Sequence, residues 1–128
     1  DLVSKMAENL NGFDIEIIET HHNKKVDSPS GTAKTLFNAI NQTLKNKMNL
    51  INGREGNHKR DKNEIGIHSI RGGSVVGEHR VIFYGDDEAI EIKHSAMSKK
   101  IFVHGAIKAA KFLIGKNPNL YSMKDVLS

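Results

Sequence analysis

The sequence predicts an α+β fold, in which an open mixed β-sheet of about four strands has helices packed on one face. Three observations predict this class. The chain has 128 residues, the commonest size for one domain with one hydrophobic core. Its apolar residues repeat at helical and at strand spacing in the order α-β-α-β-β-β-α. Three strand-like segments also follow one another with only short glycine-containing turns between them.

Composition narrows the class of protein. Hydrophobic residues make up 38% of the chain and charged residues 27%, with two prolines, which excludes a disordered chain. No apolar run is long enough to cross a bilayer, and no secretory segment is visible. The absence of cysteine excludes disulfides and thiolate metal sites and fits a reducing compartment. Together with the lack of a bilayer-spanning run, it leads us to expect a cytoplasmic protein without membrane partners. Because the chain starts at Asp1 without an initiator methionine, we also expect a fragment of a longer protein.

The first two elements are short. Apolar residues at helical spacing over residues 2–10 predict a helix, which the Asn11-Gly12 pair ends. Over residues 13–20 apolar and polar side chains alternate, which predicts a half-buried strand that leads to His21.

The clearest amphipathic helix follows. Steps of three and four residues connect Ala33, Leu36, Phe37, Ile40, Leu44 and Met48. The polar stretch 52–63 is then predicted to be an exposed loop. Strands are predicted over residues 65–70, 75–84 and 88–94, and their short connections favour an antiparallel meander.

The last predicted helix, over residues 101–114, is apolar over most of its circumference. Only His104, Lys108 and Lys111 form a polar stripe along it. One small sheet cannot cover so wide an apolar surface, so we expect another domain or a partner subunit to bury it.

Residues 19–32 hold the side chains suited to chemistry. Ser30-Gly31-Thr32 opens the second helix, so unpaired N–H groups, the helix dipole and two hydroxyls favour an anion there; a simple N-cap is the alternative. His21, His22 and Lys25 add two imidazoles and an ammonium group. A metal site is not predicted, because adjacent residues of an extended chain point to opposite sides.

At these residues the chain resembles a known family. The run His21-His22-x-x-Lys25-x-Asp27-x-Pro29-Ser30-Gly31-Thr32 is similar to the signature of the dihydrodipicolinate (4-hydroxy-tetrahydrodipicolinate) reductases of the diaminopimelate route to lysine. Further segments resemble the second half of that family, and they are 66–73, 77–79, 91–96, 102–106 and 121–127.

The resemblance implies a reaction and a set of site residues. In this family a hydride passes from NADPH or NADH to a small cyclic imine that bears two carboxylates. By the resemblance, His21 is the proton donor and acceptor and Lys25 is a second proton donor. The substrate-binding residues are His22, Ser30, Gly31 and Thr32. Asp27 either orients Lys25 or serves only the structure.

The resemblance also implies how the chain is divided. Residues 1–12 are the end of a helix that links to an N-terminal Rossmann domain, and residues 13–98 form the substrate-binding and oligomerisation domain. Residues 99–128 pack on the nucleotide domain. No Gly-x-Gly-x-x-Gly run follows a strand in this chain, so we expect no cofactor and no metal bound to it. Self-association to a homotetramer or dimer is implied as well.

Other polar residues leave alternatives open. Arg71 either approaches the substrate or braces the sheet, whereas hydrogen bonding within the sheet is the default for His68, Glu78, His79 and His94. Lys99 departs from the family pattern, which commonly has arginine at this position. Lysine keeps the charge but lacks the guanidinium fork, so an interdomain or cofactor contact made through that fork is in doubt.

Two other classes of function compete with a reductase. The loop basic residues Arg54, His58, Lys59, Arg60 and Lys62 suggest a nucleic-acid-binding module. That loop lacks aromatic residues for base stacking, so nucleic acid is not the predicted partner. An oligomerisation module without activity of its own is the remaining alternative.

Overall fold

A five-stranded mixed sheet organises most of the chain. The computed structural model describes residues 1–128, which divide into two compact units, Asp1–Ser95 and Ala96–Ser128. The strands are β1 (Asp14–His21), β2 (Asn49–Asn52), β3 (Glu64–Arg71), β4 (Gly77–Gly85) and β5 (Glu88–Ala96). Their order across the sheet is β2-β3-β1-β4-β5. The helices are α1 (Leu2–Asn9), α2 (Gly31–Thr43), α3 (Lys100–Leu113) and α4 (Met123–Leu127).

The predicted α+β class and open mixed sheet are confirmed, with one strand more than the expected four. We predicted that α2 would run on to Met48, but it ends at Thr43 because Lys45 and Asn46 adopt left-handed backbone angles. Residues 49–52 then form β2, which pairs in parallel with β3. Strand β2 is mostly exposed and has no alternating pattern, so only the pairing defines it.

The predicted antiparallel meander is wrong. Strand β1 lies between β3 and β4, parallel to β3 and antiparallel to β4. Only β4 and β5, which a two-residue turn connects, form a hairpin of consecutive strands. Local spacing could not show this order, because the long α2 crossover lets an early strand take the central place.

The register of the central strands separates the two faces of the sheet. Ile15 is level with Ile65 and Phe83, and Ile17 is level with Ile67 and Val81. These side chains form one buried cluster with Val3 and Ala7 of α1 and with Ala33, Phe37 and Ile40 of α2. Helices α1 and α2 therefore cover this face, which we call the helix face.

The opposite face has a network of charges centred on Glu16. The Glu16 carboxylate accepts hydrogen bonds from Arg54 and Arg60 and contacts His68 Nε2 at 2.6 Å. Arg54 also binds Glu64. A Cβ on Gly66 would collide with the Glu16 carboxylate, so a larger residue there would displace this side chain from its partners. Two of the five basic residues in the loop that suggested nucleic-acid binding are thus engaged by carboxylates of the sheet.

The second unit has few buried side chains. No residue of α3 is buried, and its Phe102 and Val103 side chains are more than half exposed. Within this unit the rings of Phe112 and Tyr121 meet edge to face with centroids 5.5 Å apart. What covers the remaining apolar surface of α3 stays a prediction. None of the four helices combines the length and the apolar character needed to span a membrane.

Replacing the central core residue Ile17 tests the assigned register. Ile17 is fully buried, so Ile17→Ala is expected to lower the free energy of unfolding by about 2–5 kcal/mol. Leu2→Ala, at a side chain that is 69% exposed, is the control and should change it by less than about 0.5 kcal/mol. Urea denaturation of both variants measures this. Equal losses would contradict the register.

Candidate active site

The helix face becomes polar at the end of β1. Beyond Ile17 the next side chains on this face are Glu19 and His21. In register, Glu19 is level with Ser69 and His79, and His21 is level with Arg71. The same alternation that builds the core therefore places a cluster of polar side chains beside the start of α2.

Glu19 lies at the centre of this cluster, and its side chain has no exposed surface. Its two carboxylate oxygens each accept a hydrogen bond from Arg71, both at 2.8 Å. One oxygen also contacts His21 Nδ1 at 2.6 Å, and the other accepts the Ser30 N–H at 3.0 Å. Burial alone would raise the pKa of Glu19, but hydrogen bonds from Arg71, Ser69, His21 and Ser30 outweigh it and lower the pKa to about 2.

His21 is held on several sides. Its side chain is 12% exposed, and Nδ1 faces Glu19. Its ring meets the His79 ring edge to face, with centroids 5.2 Å apart. A Cβ on Gly77 would lie 3.2 Å from His21 Nε2, so glycine at that position gives the imidazole its space.

Ser30 is the N-cap of α2. Its hydroxyl accepts the Ala33 N–H at 3.2 Å and contacts His79 Nε2 at 2.9 Å, and the residue is 2% exposed. Burial and the neighbouring His21 lower the pKa of His79, which favours its neutral ring. The capping interpretation of Ser30 is therefore correct, and a direct contact of Ser30 with a ligand stays a prediction.

Gly31 and Thr32 form the exposed first turn of α2. Their N–H groups have no carbonyl one turn earlier in the helix, so they are oriented toward solvent at the positive end of the helix dipole. This is the part of the cluster best suited to an anion such as a carboxylate.

The loop between β1 and α2 carries Lys25. The Lys25 ammonium group donates to Asp27 Oδ1 at 2.6 Å, and this hydrogen bond lowers the pKa of Asp27. Arg71 Nη2 donates to the Asp27 carbonyl at 2.9 Å, which ties the loop to β3. His22 precedes this loop and is partly exposed, without a hydrogen bond from its ring.

The structure answers several questions that the sequence left open. Arg71 braces the site, because it binds Glu19, the Asp27 carbonyl and the Ile70 carbonyl. Asp27 forms an ion pair with Lys25, in agreement with the alternative that Asp27 orients Lys25. His68 and Glu78 make hydrogen bonds across the sheet, to Glu16 and Ser95.

The sequence analysis assigned no role to Glu19, although its position in the strand pattern could have indicated one. It shares the spacing of two with Ile15 and Ile17, which places it inside, and a buried carboxylate requires a cationic partner. No group of three His, Cys, Asp or Glu side chains, in this cluster or in the rest of the chain, is arranged to hold a metal ion.

Comparison with known proteins gives consistent matches over the whole chain. The family model described as "Dihydrodipicolinate reductase, C-terminus" matches residues 1–127. The 4-hydroxy-tetrahydrodipicolinate reductase of Brachyspira hyodysenteriae is 70% identical over 128 residues, which are all of this chain and 55% of that protein. The enzyme of the same name from Caldanaerobacter subterraneus subsp. tengcongensis is 55% identical over 98% of this chain and 51% of its own length. The chain thus spans about half the length of these relatives.

One solved structure has a similar fold. It is a dipicolinate-bound dihydrodipicolinate reductase from Paenisporosarcina sp. TG-14, with a TM-score of 0.70. It covers 97% of this chain and 49% of its own chain at 24% sequence identity. At that identity the likeness shows a shared fold.

The low pKa of Glu19 predicts acid-sensitive stability. The pKa falls from an ordinary 4.5 to about 2 on folding, so the stabilisation is complete above pH 4.5 and is lost as pH falls through 2. At neutral pH it amounts to roughly 3 kcal/mol, of which more than half is lost by about pH 3.

Denaturation of the wild type and of Glu19→Gln at several pH values measures this. The difference in free energy of unfolding should shrink as the solution is acidified. Other carboxyls with lowered pKa values, such as Glu16 and Glu64, act in both proteins and cancel in the difference. A difference that stays constant from pH 7 to pH 2 would contradict the assignment.

Proposed function

The chain belongs to the dihydrodipicolinate reductase family, and from that premise we propose that it supplies the substrate-binding and proton-donating half of a 4-hydroxy-tetrahydrodipicolinate reductase. The complete enzyme would reduce a cyclic imine dicarboxylate to tetrahydrodipicolinate in the diaminopimelate route to lysine. We propose the cytoplasm as its location.

One observation carries the proposal. Glu19 binds the His21 ring and the Ser30 N–H with the two oxygens of a single carboxylate. It therefore keeps an imidazole beside the first turn of α2. An acid-base group next to an anion-binding helix start is the arrangement that a carboxylate-bearing imine requires.

The chemistry of reduction explains why both kinds of group are needed. Hydride addition to a conjugated imine leaves electron density on the substrate, so an acid must deliver a proton. His21 and Lys25 are the proposed proton donors. His22 and the N–H groups of Gly31 and Thr32 are proposed to bind the carboxylates, and Ser30 adds a hydroxyl at the same helix start.

We propose that the dinucleotide site lies outside this chain. Its sheet has the order β2-β3-β1-β4-β5, and the Gly72-Gly73 pair lies between β3 and β4 with no helix after it. We therefore propose that this chain binds the carboxylates and delivers the proton. The other half of the enzyme is proposed to bind NADPH or NADH. We expect the 128 residues alone to lack reductase activity.

Self-association is the remaining part of the proposal. Ile70 and Tyr84 are 49% and 45% exposed on the sheet face opposite the helices. These two side chains lie at opposite ends of that face, level with Thr20 and Asp14, so they do not form one apolar patch. A homotetramer or dimer formed through the sheet is proposed from the family resemblance. Light scattering at several concentrations measures the assembly state.

Binding of pyridine-2,6-dicarboxylate tests the proposed substrate site. Calorimetry should detect binding to the wild type and a loss of affinity of about 10- to 100-fold in Lys25→Ala, because a charge-assisted hydrogen bond is removed. Lys24→Ala is the matched control, since Lys24 is exposed and makes no hydrogen bond to the site. Equal affinity of the two variants would show that the Lys25 ammonium group does not contact the bound dicarboxylate.

Turnover tests the proposed proton donors. This chain can replace the matching residues of the Brachyspira hyodysenteriae relative, which is 70% identical, to give a complete enzyme. In that chimera, His21→Gln or Lys25→Ala should lower kcat by about 10²- to 10⁴-fold, the usual weight of general acid catalysis. An effect below tenfold in both variants, with Lys24→Ala as reference, would exclude them as proton donors.

A further inference from the structure

We propose that Glu19 and Arg71 are positioning residues, which hold His21 in the tautomer with its proton on Nδ1 and leave Nε2 as the nitrogen that exchanges a proton with the substrate. The inference rests on the proposed role of His21 as a proton donor. It extends that role to two residues that neither the sequence pattern nor the comparisons assign.

The 2.6 Å contact between the Glu19 carboxylate and His21 Nδ1 determines which of the two groups donates the hydrogen bond. The Glu19 carboxylate is ionised at neutral pH because its pKa is about 2, and an ionised carboxylate only accepts hydrogen bonds. His21 Nδ1 must therefore donate. When the ring is neutral its single proton lies on Nδ1, and when it is charged the second proton lies on Nε2.

Arg71 keeps the Glu19 carboxylate ionised and in place. Each terminal nitrogen of its guanidinium makes two hydrogen bonds. Nη1 binds Glu19 Oε2 and the Ile70 carbonyl, and Nη2 binds Glu19 Oε1 and the Asp27 carbonyl. All four hydrogens are used, and only a planar fork can make this set of contacts.

The Arg71 guanidinium acts indirectly on both proposed proton donors. Through Glu19 it fixes the His21 ring, and through the Asp27 carbonyl it fixes the loop that carries Lys25. No other group competes for Nδ1, because the nearby His79 ring uses its Nε2 on Ser30 and meets His21 only edge to face.

The chain provides a matched control on the same strand. Glu16 contacts His68 Nε2 at 2.6 Å and is held by two arginines, but it lies on the opposite face of the sheet. A general loss of an ion pair in β1 would affect Glu16→Gln and Glu19→Gln alike. A positioning role predicts that only Glu19→Gln changes the His21 ring.

The chimera with the Brachyspira hyodysenteriae relative, without any substitution at the site, allows a first measurement. Long-range ¹H–¹⁵N correlation spectra report which ring nitrogen of each histidine carries the proton at a pH where the ring is neutral. The Nδ1-protonated form should be the major tautomer of His21. A majority of Nε2-protonated ring would overturn the inference.

Variants then test the consequence for turnover. In Glu19→Gln the amide can either donate or accept, so we expect a mixture of His21 tautomers and a kcat lower by about 10- to 100-fold, with a much smaller change in KM. Arg71→Lys keeps the charge but loses the fork, and should shift the tautomers in the same direction. Glu16→Gln should leave the His21 spectrum and kcat unchanged.

The outcomes separate this inference from the proposed function. If His21→Gln has no effect on kcat, the proposed function fails whatever the tautomer. If His21→Gln is slow but Glu19→Gln and Arg71→Lys match the wild type in kcat and tautomer, the positioning role is overturned. If Glu19→Gln does not fold, the wild-type spectrum and Arg71→Lys still decide.

Discussion

The site depends on one buried ion pair, between the Glu19 carboxylate and the Arg71 guanidinium. A carboxylate with no exposed surface is costly to bury unless a cation and several donors satisfy it. Here the donors come from three places: β3, the end of β1 and the N-terminus of α2. The charge of Glu19 therefore joins the sheet to the helix at the point where the candidate site lies.

The core and the site belong to one repeating pattern. Along β1 every second side chain faces α1 and α2, from Ile15 through Ile17 to Glu19 and His21. The first two form the hydrophobic core, and the last two form the polar cluster. Because the strand is central, it receives neighbours from both sides, so the cluster can draw Arg71 from β3 and His79 from β4. A rigid core strand is a suitable support for groups whose orientation matters.

The opposite face of the same strand shows how strongly charge is organised in this protein. Glu16 accepts hydrogen bonds from two arginines of the loop 53–63 and contacts a histidine of β3. These contacts attach the loop to the sheet and engage two of its five basic residues. The apolar surface of α3, by contrast, stays exposed within the second unit.

The sequence by itself determined three of the four helices, four of the five strands, the α+β class, the family resemblance and the segment that carries the candidate site. These features follow from local periodicity and from residues adjacent in the chain, such as His21, His22 and Ser30-Gly31-Thr32. Only the tertiary structure decided the strand order, the existence of β2 and the roles of Glu19 and Arg71. Strand pairing and the partner of a buried charge are set by groups far apart in sequence, here 52 residues, and no local pattern encodes which of them will meet.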